Sequence, residues 1–176
     1  PGVDVGDAPD STTHAPNQPM TAYPGVSANF PVVRDLSTGA PPGPLHRLIP
    51  DSVLGETVTA EADADQLPDA DVVTNIWPLT DTSDRDGADD GVQLPIQLAQ
   101  CQLAQFSYVM TVVGPVRDRY VNVWFDFDRN GSWGDVLQCS YNGQVCTVTE
   151  WAVVDQLTQV GPGVHGMTTP PSVKAI

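Results

Sequence analysis

Basic residues are scarce in this chain. Seven lysines and arginines stand against 22 aspartates and glutamates in 176 residues, which gives a net charge of −15 at pH 7. A surface of this sign repels phosphate backbones and anionic lipids, so the composition argues against nucleic-acid partners and membrane-surface binding. An acidic excess can simply keep a protein soluble. The positions of the acids decide whether they also form binding sites.

The sequence also has few cysteines and no long apolar run. Cys101, Cys139 and Cys146 are too few for a disulfide framework and lack the spacing of a zinc site, so we expect one disulfide and one remaining thiol. Pairing of Cys101 with either of the others stays open. No run approaches the roughly 18 apolar residues of a membrane helix, so no membrane insertion is expected, and no signal peptide is recognisable. Because the chain starts at Pro1 and not at Met, we expect a mature form or an excised segment.

No stretch of 11 residues shows the amphipathic period of a helix. From residue 92 onward, runs rich in β-branched and aromatic residues alternate with turn residues. This pattern predicts an all-β protein, an antiparallel β-sandwich of the Ig-like or jelly-roll-like kind with long ordered acidic and Pro-rich loops. We expect a single module over residues 1–176, with a Pro-rich extended wrap at 1–50, an acidic loop region at 51–91 and a strand-rich core at 92–176.

The strand runs predict which side chains face the core. Alternation within 120–128 assigns four side chains to the buried face: Val121, Val123, Phe125 and Phe127. Alternation within 147–154 places Val148, Ala152 and Val154 on one face and Trp151 and Val153 on the other. Between the two runs, Asn142-Gly143 predicts a two-residue hairpin, because both positions tolerate positive φ. That hairpin places Cys139 opposite Cys146.

Oxygen-bearing side chains crowd the segment WFDFDRNGSWGD, which begins as a strand. Four of them, Asp126, Asp128, Asn130 and Ser132, have the spacing of the first half of an EF-hand calcium loop, and Asp135 follows at position 10. Gly131 provides the turn that lets alternate oxygens converge on one hard cation. Leu137 stands where an EF-hand has a bidentate glutamate, so we predict a strand-borne DxDxNG calcium loop. The alternative is an Asx-rich turn in which the side chains cap backbone amides without a metal.

Three further acidic segments offer candidate calcium ligands. Between residues 51 and 91, twelve acids stand against one base, and the repulsion at this density is what a divalent ion would relieve. Solvated loops are the alternative. The candidates are Asp7 and Asp10, beside Asp4, in VDVGDAPDS; Glu61 and Asp63, beside Asp65, in AEADAD; and Asp84, Asp86, Asp89 and Asp90, beside Asp81, in DTSDRDGADDGV.

Taken in order, the segments VGDAPDS, LGETVTAEADAD, DRDGADDGV and NVWFDFDRNGSWGD resemble the pattern of GEVED-type domains in bacterial secreted and cell-surface proteins. The resemblance covers nearly the whole chain and implies a calcium-stabilised β-sandwich module without catalytic activity. Two departures stand out: Ala88 replaces an expected acid, and the chain ends before the last strand that such domains usually carry. A sheet lacking that strand has an open edge that a strand from a neighbour could complete.

Enzyme motifs are absent from the sequence: His14, His46 and His165 have no partner motif, and no nucleophile elbow, HExxH or phosphate-binding loop occurs. We therefore predict a non-catalytic, calcium-stabilised structural module, secreted or at the cell surface, that serves as a building block of a surface protein or extracellular filament. Its expected partners are copies of itself or neighbouring modules, bound through strand or edge contacts. The alternative is a carbohydrate-binding or adhesive domain in which Trp133 stacks on a glycan; packing of Trp133 beneath the acidic loop is the competing assignment.

Overall fold

The computed structural model describes residues 3–4, 8–11, 20–32, 46–47, 51–57, 91–92 and 96–174. These residues form strands and no helix, so none of them lies in a helix that could cross a bilayer. All pairings between the strands are antiparallel, which confirms the predicted all-β class; face-to-face packing of two sheets stays a prediction. The strands are β1 (Val3–Asp4), β2 (Thr21–Tyr23), β3 (Val26–Ser27), β4 (His46–Arg47), β5 (Ser52–Leu54), β6 (Gln102–Ala104), β7 (Ser107–Val112), β8 (Arg119–Trp124), β9 (Val136–Tyr141), β10 (Gln144–Thr149), β11 (Trp151–Thr158), β12 (Gly163–Thr168) and β13 (Ser172–Lys174).

The chain divides into two compact units that do not follow sequence order. The first comprises Pro1–Ile49, Thr59–Ala88 and Arg129–Ser132, and the second comprises Pro50–Val58, Asp89–Asp128 and Trp133–Ile176. The single module predicted for residues 1–176 stays a prediction. Most of the predicted Pro-rich wrap, and residues 58–90 of the predicted acidic loop region, lie outside the described residues.

A short hairpin and residues 129–132 of the predicted calcium loop organise the first unit. Strands β2 and β3 are joined by a turn in which Gly25 has a φ of 81°. The N–H group of Asn29 donates to the carbonyl oxygen of Gly131 at 2.7 Å. Among the described residues of this unit, five apolar side chains are buried: Met20, Ala22, Ala28, Phe30 and Val32. The segment 129–132 is therefore packed by residues that lie about a hundred positions earlier in the chain.

Strand β7 is the central strand of a three-stranded sheet in the second unit. It pairs with β12 on one side and with β5 on the other. Its alternation is clear, because Tyr108, Met110 and Val112 are buried while Ser107 is exposed. This is the pattern of a strand with one face toward a core. Burial raises the pKa of the Tyr108 hydroxyl above its usual range, since the charged phenolate would lose its hydration.

Strand β8 is shorter than the run from which it was predicted. It ends at Trp124 and pairs with β11 through two register shifts. Of the four side chains assigned to the core, Val121 and Phe127 are buried, whereas Val123 and Phe125 are half-buried. The Phe125 and Phe127 rings stack with centroids 5.4 Å apart, so the inward face continues past the end of the strand.

The hairpin predicted at Asn142-Gly143 is confirmed. Strands β9 and β10 flank the two residues, whose φ values of 50° and 77° are both positive as this turn requires. Cys139 lies opposite Cys146, also as predicted. The disulfide joins Cys101 to Cys139, with the two Cα atoms 5.4 Å apart, and Cys146 is a free thiol.

The prediction of a single strand over 147–154 is wrong, because the strand is interrupted at Glu150. Strand β10 ends at Thr149 and β11 begins at Trp151. Alternation nevertheless continues through Glu150, since Val148 and Glu150 are buried while Trp151 is exposed. It reverses at the register shift between Trp151 and Val153, where β11 has one residue more than β8. Val148 and Val154, which were predicted to share a face, therefore differ, with Val148 7 % exposed and Val154 55 % exposed, and Val153 is only 4 % exposed.

Candidate metal centre

Three carboxylates of the second unit converge at the end of β8. One oxygen from each of Asp126, Asp128 and Glu150 lies within 4.8 Å of the other two. Two oxygens bound to the same Ca²⁺ can be no more than about 5 Å apart, since each lies roughly 2.3–2.6 Å from the ion. The spacing of this carboxylate triad therefore suits a shared calcium ion.

Glu150 is the buried member of the triad and holds the surrounding backbone. Its side chain is fully buried, and one carboxylate oxygen accepts a hydrogen bond from the N–H of Phe127 at 2.9 Å. The other oxygen accepts from the N–H groups of Gly134 and Asp135, both at 3.1 Å. A buried charge needs such donors to offset the loss of hydration. Glu150 thus holds the backbone near both ends of the 126–135 segment, at Phe127 and at Gly134 and Asp135.

The backbone of Glu150 adds to this arrangement. Its N–H donates to the carbonyl oxygen of Asp135, and its own carbonyl oxygen accepts from the N–H of Phe125. These bonds explain why residue 150 lies outside both the β9–β10 and the β8–β11 ladders, since its main chain and side chain both bind the 125–135 segment. The triad is assembled by this tertiary contact and not by local sequence.

Sequence reasoning missed Glu150, although a signal was present. Glu150 is the only acid in the run TVTEWAVV, whose neighbours predict a half-buried strand. A lone acid in such a run either faces solvent or requires a buried partner. Because the predicted loop lacked an acid at its twelfth position, an acid elsewhere in the core was the group to look for.

The three carboxylates of the triad differ in their exposure to solvent. Asp128 is exposed, Asp126 is half-buried and Glu150 is buried. A bound cation would relieve the mutual repulsion among three carboxylates at this distance. An ion held here would have anionic oxygens of the hard type that Ca²⁺ and Mg²⁺ prefer.

The other ligands predicted for this loop have different positions. Asp135 joins Glu150 through its backbone, and its side chain is not part of the triad. Asn130 and Ser132 belong to the first unit. There the Asn130 Oδ1 atom accepts from the N–H and the hydroxyl of Ser132, both at 2.9 Å. These contacts form the Asx turn that was the alternative to a metal ligand.

The remaining candidate ligands are not brought to the triad within the described residues. Asp10 is 2 % exposed in the first unit, where it bridges to Asn29, and its N–H donates to the sulfur of Met20 at 3.0 Å. The other candidates lie outside the described residues: Asp7, Glu61, Asp63, Asp84, Asp86, Asp89 and Asp90.

Three tryptophans stack next to the triad in sequence. Trp124 lies between Trp133 and Trp151, with ring centroids 5.9 Å and 5.7 Å away and interplanar angles of 21° and 9°. The indole N–H of Trp151 donates to Asn122 Oδ1 at 3.0 Å. Rings this close leave no room for a sugar between them. Trp151 is 40 % exposed, so any glycan would have to stack at the end of the row.

Comparison of the chain with protein-family models, with curated proteins and with solved structures gave no significant match.

Proposed function

We propose that the protein is a non-catalytic, calcium-stabilised structural module of an extracellular surface protein or filament. The carboxylate triad is the observation that carries this proposal, because it pairs two acids of a DxD loop with a buried glutamate from another segment. A bound ion would lock the segment that Glu150 already holds through three amide groups. The disulfide is compatible with an oxidising, extracellular location.

Calcium should raise the thermal stability of the protein. At a free calcium concentration near 100 times the dissociation constant, binding to the native state adds about 2.7 kcal/mol. For a chain of this size, that is a rise in melting temperature of roughly 5–10 °C. We would record thermal unfolding by circular dichroism in excess calcium, in excess EGTA and in sodium chloride of equal ionic strength.

A double variant tests whether the triad is the site. Asp126→Asn with Asp128→Asn should reduce the number of bound calcium ions by one in equilibrium dialysis and shrink the calcium-dependent rise in melting temperature. Asp118→Asn removes an exposed carboxylate that contacts Gln159 and is the matched control. Equal calcium responses in the double variant and the control would place the ion elsewhere and remove the main support for the proposal.

Neighbouring copies or modules are the proposed partners, and β12 is the edge at which we place them. Within the described residues, β12 pairs with β7 along one side only, and most of its side chains are exposed. The Gln156 amide donates to the carbonyl of Thr168 at the end of the strand. An unpaired edge of this kind is a template for a strand from another chain.

Assembly through β12 should be visible by hydrogen exchange. We expect the Gly163–Thr168 amides to become slower to exchange as the protein concentration is raised and larger species appear in sedimentation velocity. If larger species form while these amides exchange unchanged, another surface carries the assembly.

A further inference from the structure

All three cysteines of the chain meet around one hydrophobic cluster. Cys139 is bonded to Cys101 and lies opposite Cys146 in the β9–β10 hairpin. Cys101 and Cys146 both pack against the cluster formed by Cys139, Phe127 and Val148. The sulfur of Cys139 therefore has two cysteine neighbours, one bonded and one not.

The hairpin places the free thiol of Cys146 directly opposite Cys139. Side chains of directly opposite residues share one face of an antiparallel pair, with Cβ atoms about 4.5–5.5 Å apart. A disulfide requires Cα atoms roughly 4.4–6.8 Å apart, a range that opposed residues of a hairpin satisfy. The Cys101–Cys139 pair satisfies it as well, at 5.4 Å. Backbone geometry thus permits either partner for Cys139.

We propose that the protein populates two disulfide connectivities and that Cys146 interconverts them. The Cys146 thiolate attacks the Cys139 sulfur; the Cys139–Cys146 bond forms as the Cys101–Cys139 bond breaks, and Cys101 leaves as a thiolate. The proton lost by Cys146 passes to solvent, and Cys101 takes one up. The exchange needs no oxidant or reductant, because one disulfide and one thiol are present before and after it.

The exchange replaces a disulfide that joins two sheets with a disulfide that lies within one hairpin. In the first connectivity, Cys101 ties the start of β6 to β9 across 38 residues of sequence. In the second, the link lies within the β9–β10 hairpin, and the β6–β13 pair loses its tether. Cys101 has a φ of 52°, a left-handed conformation that costs a non-glycine residue energy. Release of its sulfur would let that residue relax.

The test is a time course on the full chain. The protein is incubated at pH 8.5 without redox reagents, and samples are alkylated, digested without reduction and analysed by mass spectrometry. We expect label on Cys101 to appear, label on Cys146 to fall by the same amount, and a Cys139–Cys146 peptide to accumulate. The rate should be independent of protein concentration, since the exchange occurs within one chain.

Two variants make the result decisive. Cys146→Ser removes the nucleophile, so Cys101 should never be labelled. Cys101→Ser leaves only the hairpin pair, which should form a disulfide under oxidised glutathione. Label confined to Cys146 at every time, or a Cys101→Ser protein that keeps two thiols, would overturn the proposal. A Cys101 label that grows with protein concentration, together with disulfide-linked dimers, would overturn it also.

Discussion

Gly131→Ala is expected to lower the free energy of unfolding by about 3 kcal/mol or more. Two costs combine at this position. Gly131 has a φ of 85°, which a residue with a Cβ adopts only with strain, and a Cβ there would collide with the carbonyl oxygen of Ser27. Since backbone atoms cannot swing aside as a side chain can, the β2–β3 hairpin would have to move.

The structure offers a matched control for this substitution. Gly25 has a nearly equal φ of 81°, and an added Cβ would meet nothing within 4 Å. Gly25→Ala should therefore show the conformational cost alone, about 1–2 kcal/mol. Urea unfolding of both variants in EGTA gives the comparison. Equal losses in the two variants would mean that the 129–132 segment does not pack closely against the hairpin.

Glu150→Ala is expected to lower the free energy of unfolding by about 3–5 kcal/mol in metal-free buffer. The substitution leaves three backbone N–H groups without their hydrogen-bond acceptor, those of Phe127, Gly134 and Asp135. It also relieves repulsion with Asp126 and Asp128, but at partly exposed sites this relief is worth about 1 kcal/mol at most. The lost hydrogen bonds to a charged acceptor outweigh the relief.

Two further variants separate the causes at this position. Glu150→Gln keeps one oxygen that can accept from an amide but turns an NH₂ group toward other donors, so an intermediate loss is expected. Asp118→Ala deletes an exposed carboxylate and should change the free energy of unfolding by less than about 0.5 kcal/mol. If Glu150→Ala were as mild as Asp118→Ala in EGTA, the buried carboxylate would not be what holds the 126–135 segment.

How far the sequence predicted the structure depends on how local each feature is. The Asn142-Gly143 hairpin was predictable because two adjacent residues with positive φ specify the turn, and the turn fixes the register. Alternation correctly identified Val121 and Phe127 as buried, whereas Val123 and Phe125 are half-buried. Val154 was predicted to share a face with Val148 but does not, because a register shift between Trp151 and Val153 in the pairing with β8 interrupts the alternation.

The candidate metal centre was predicted in part for the same reason. Spacing identified Asp126 and Asp128, which lie in one local segment, and the structure brings them together. Glu150 reaches them from between two later strands, and no periodicity encodes that approach. The disulfide shows a different limit, since Cys139 is bonded to Cys101 and lies directly opposite Cys146. Sequence could not choose between two partners that geometry also allows.

The division of the chain into interleaved units has a consequence for its biosynthesis. The first unit takes residues Arg129–Ser132 from the middle of the second, so its packing cannot be complete until the ribosome has passed residue 132. At about 5–20 residues per second, the amino-terminal 49 residues would wait on the order of ten seconds for these partners. During that interval the β2–β3 hairpin lacks the loop that Gly131 anchors against it. Chaperones that bind nascent chains would be able to bind the exposed hairpin during this interval.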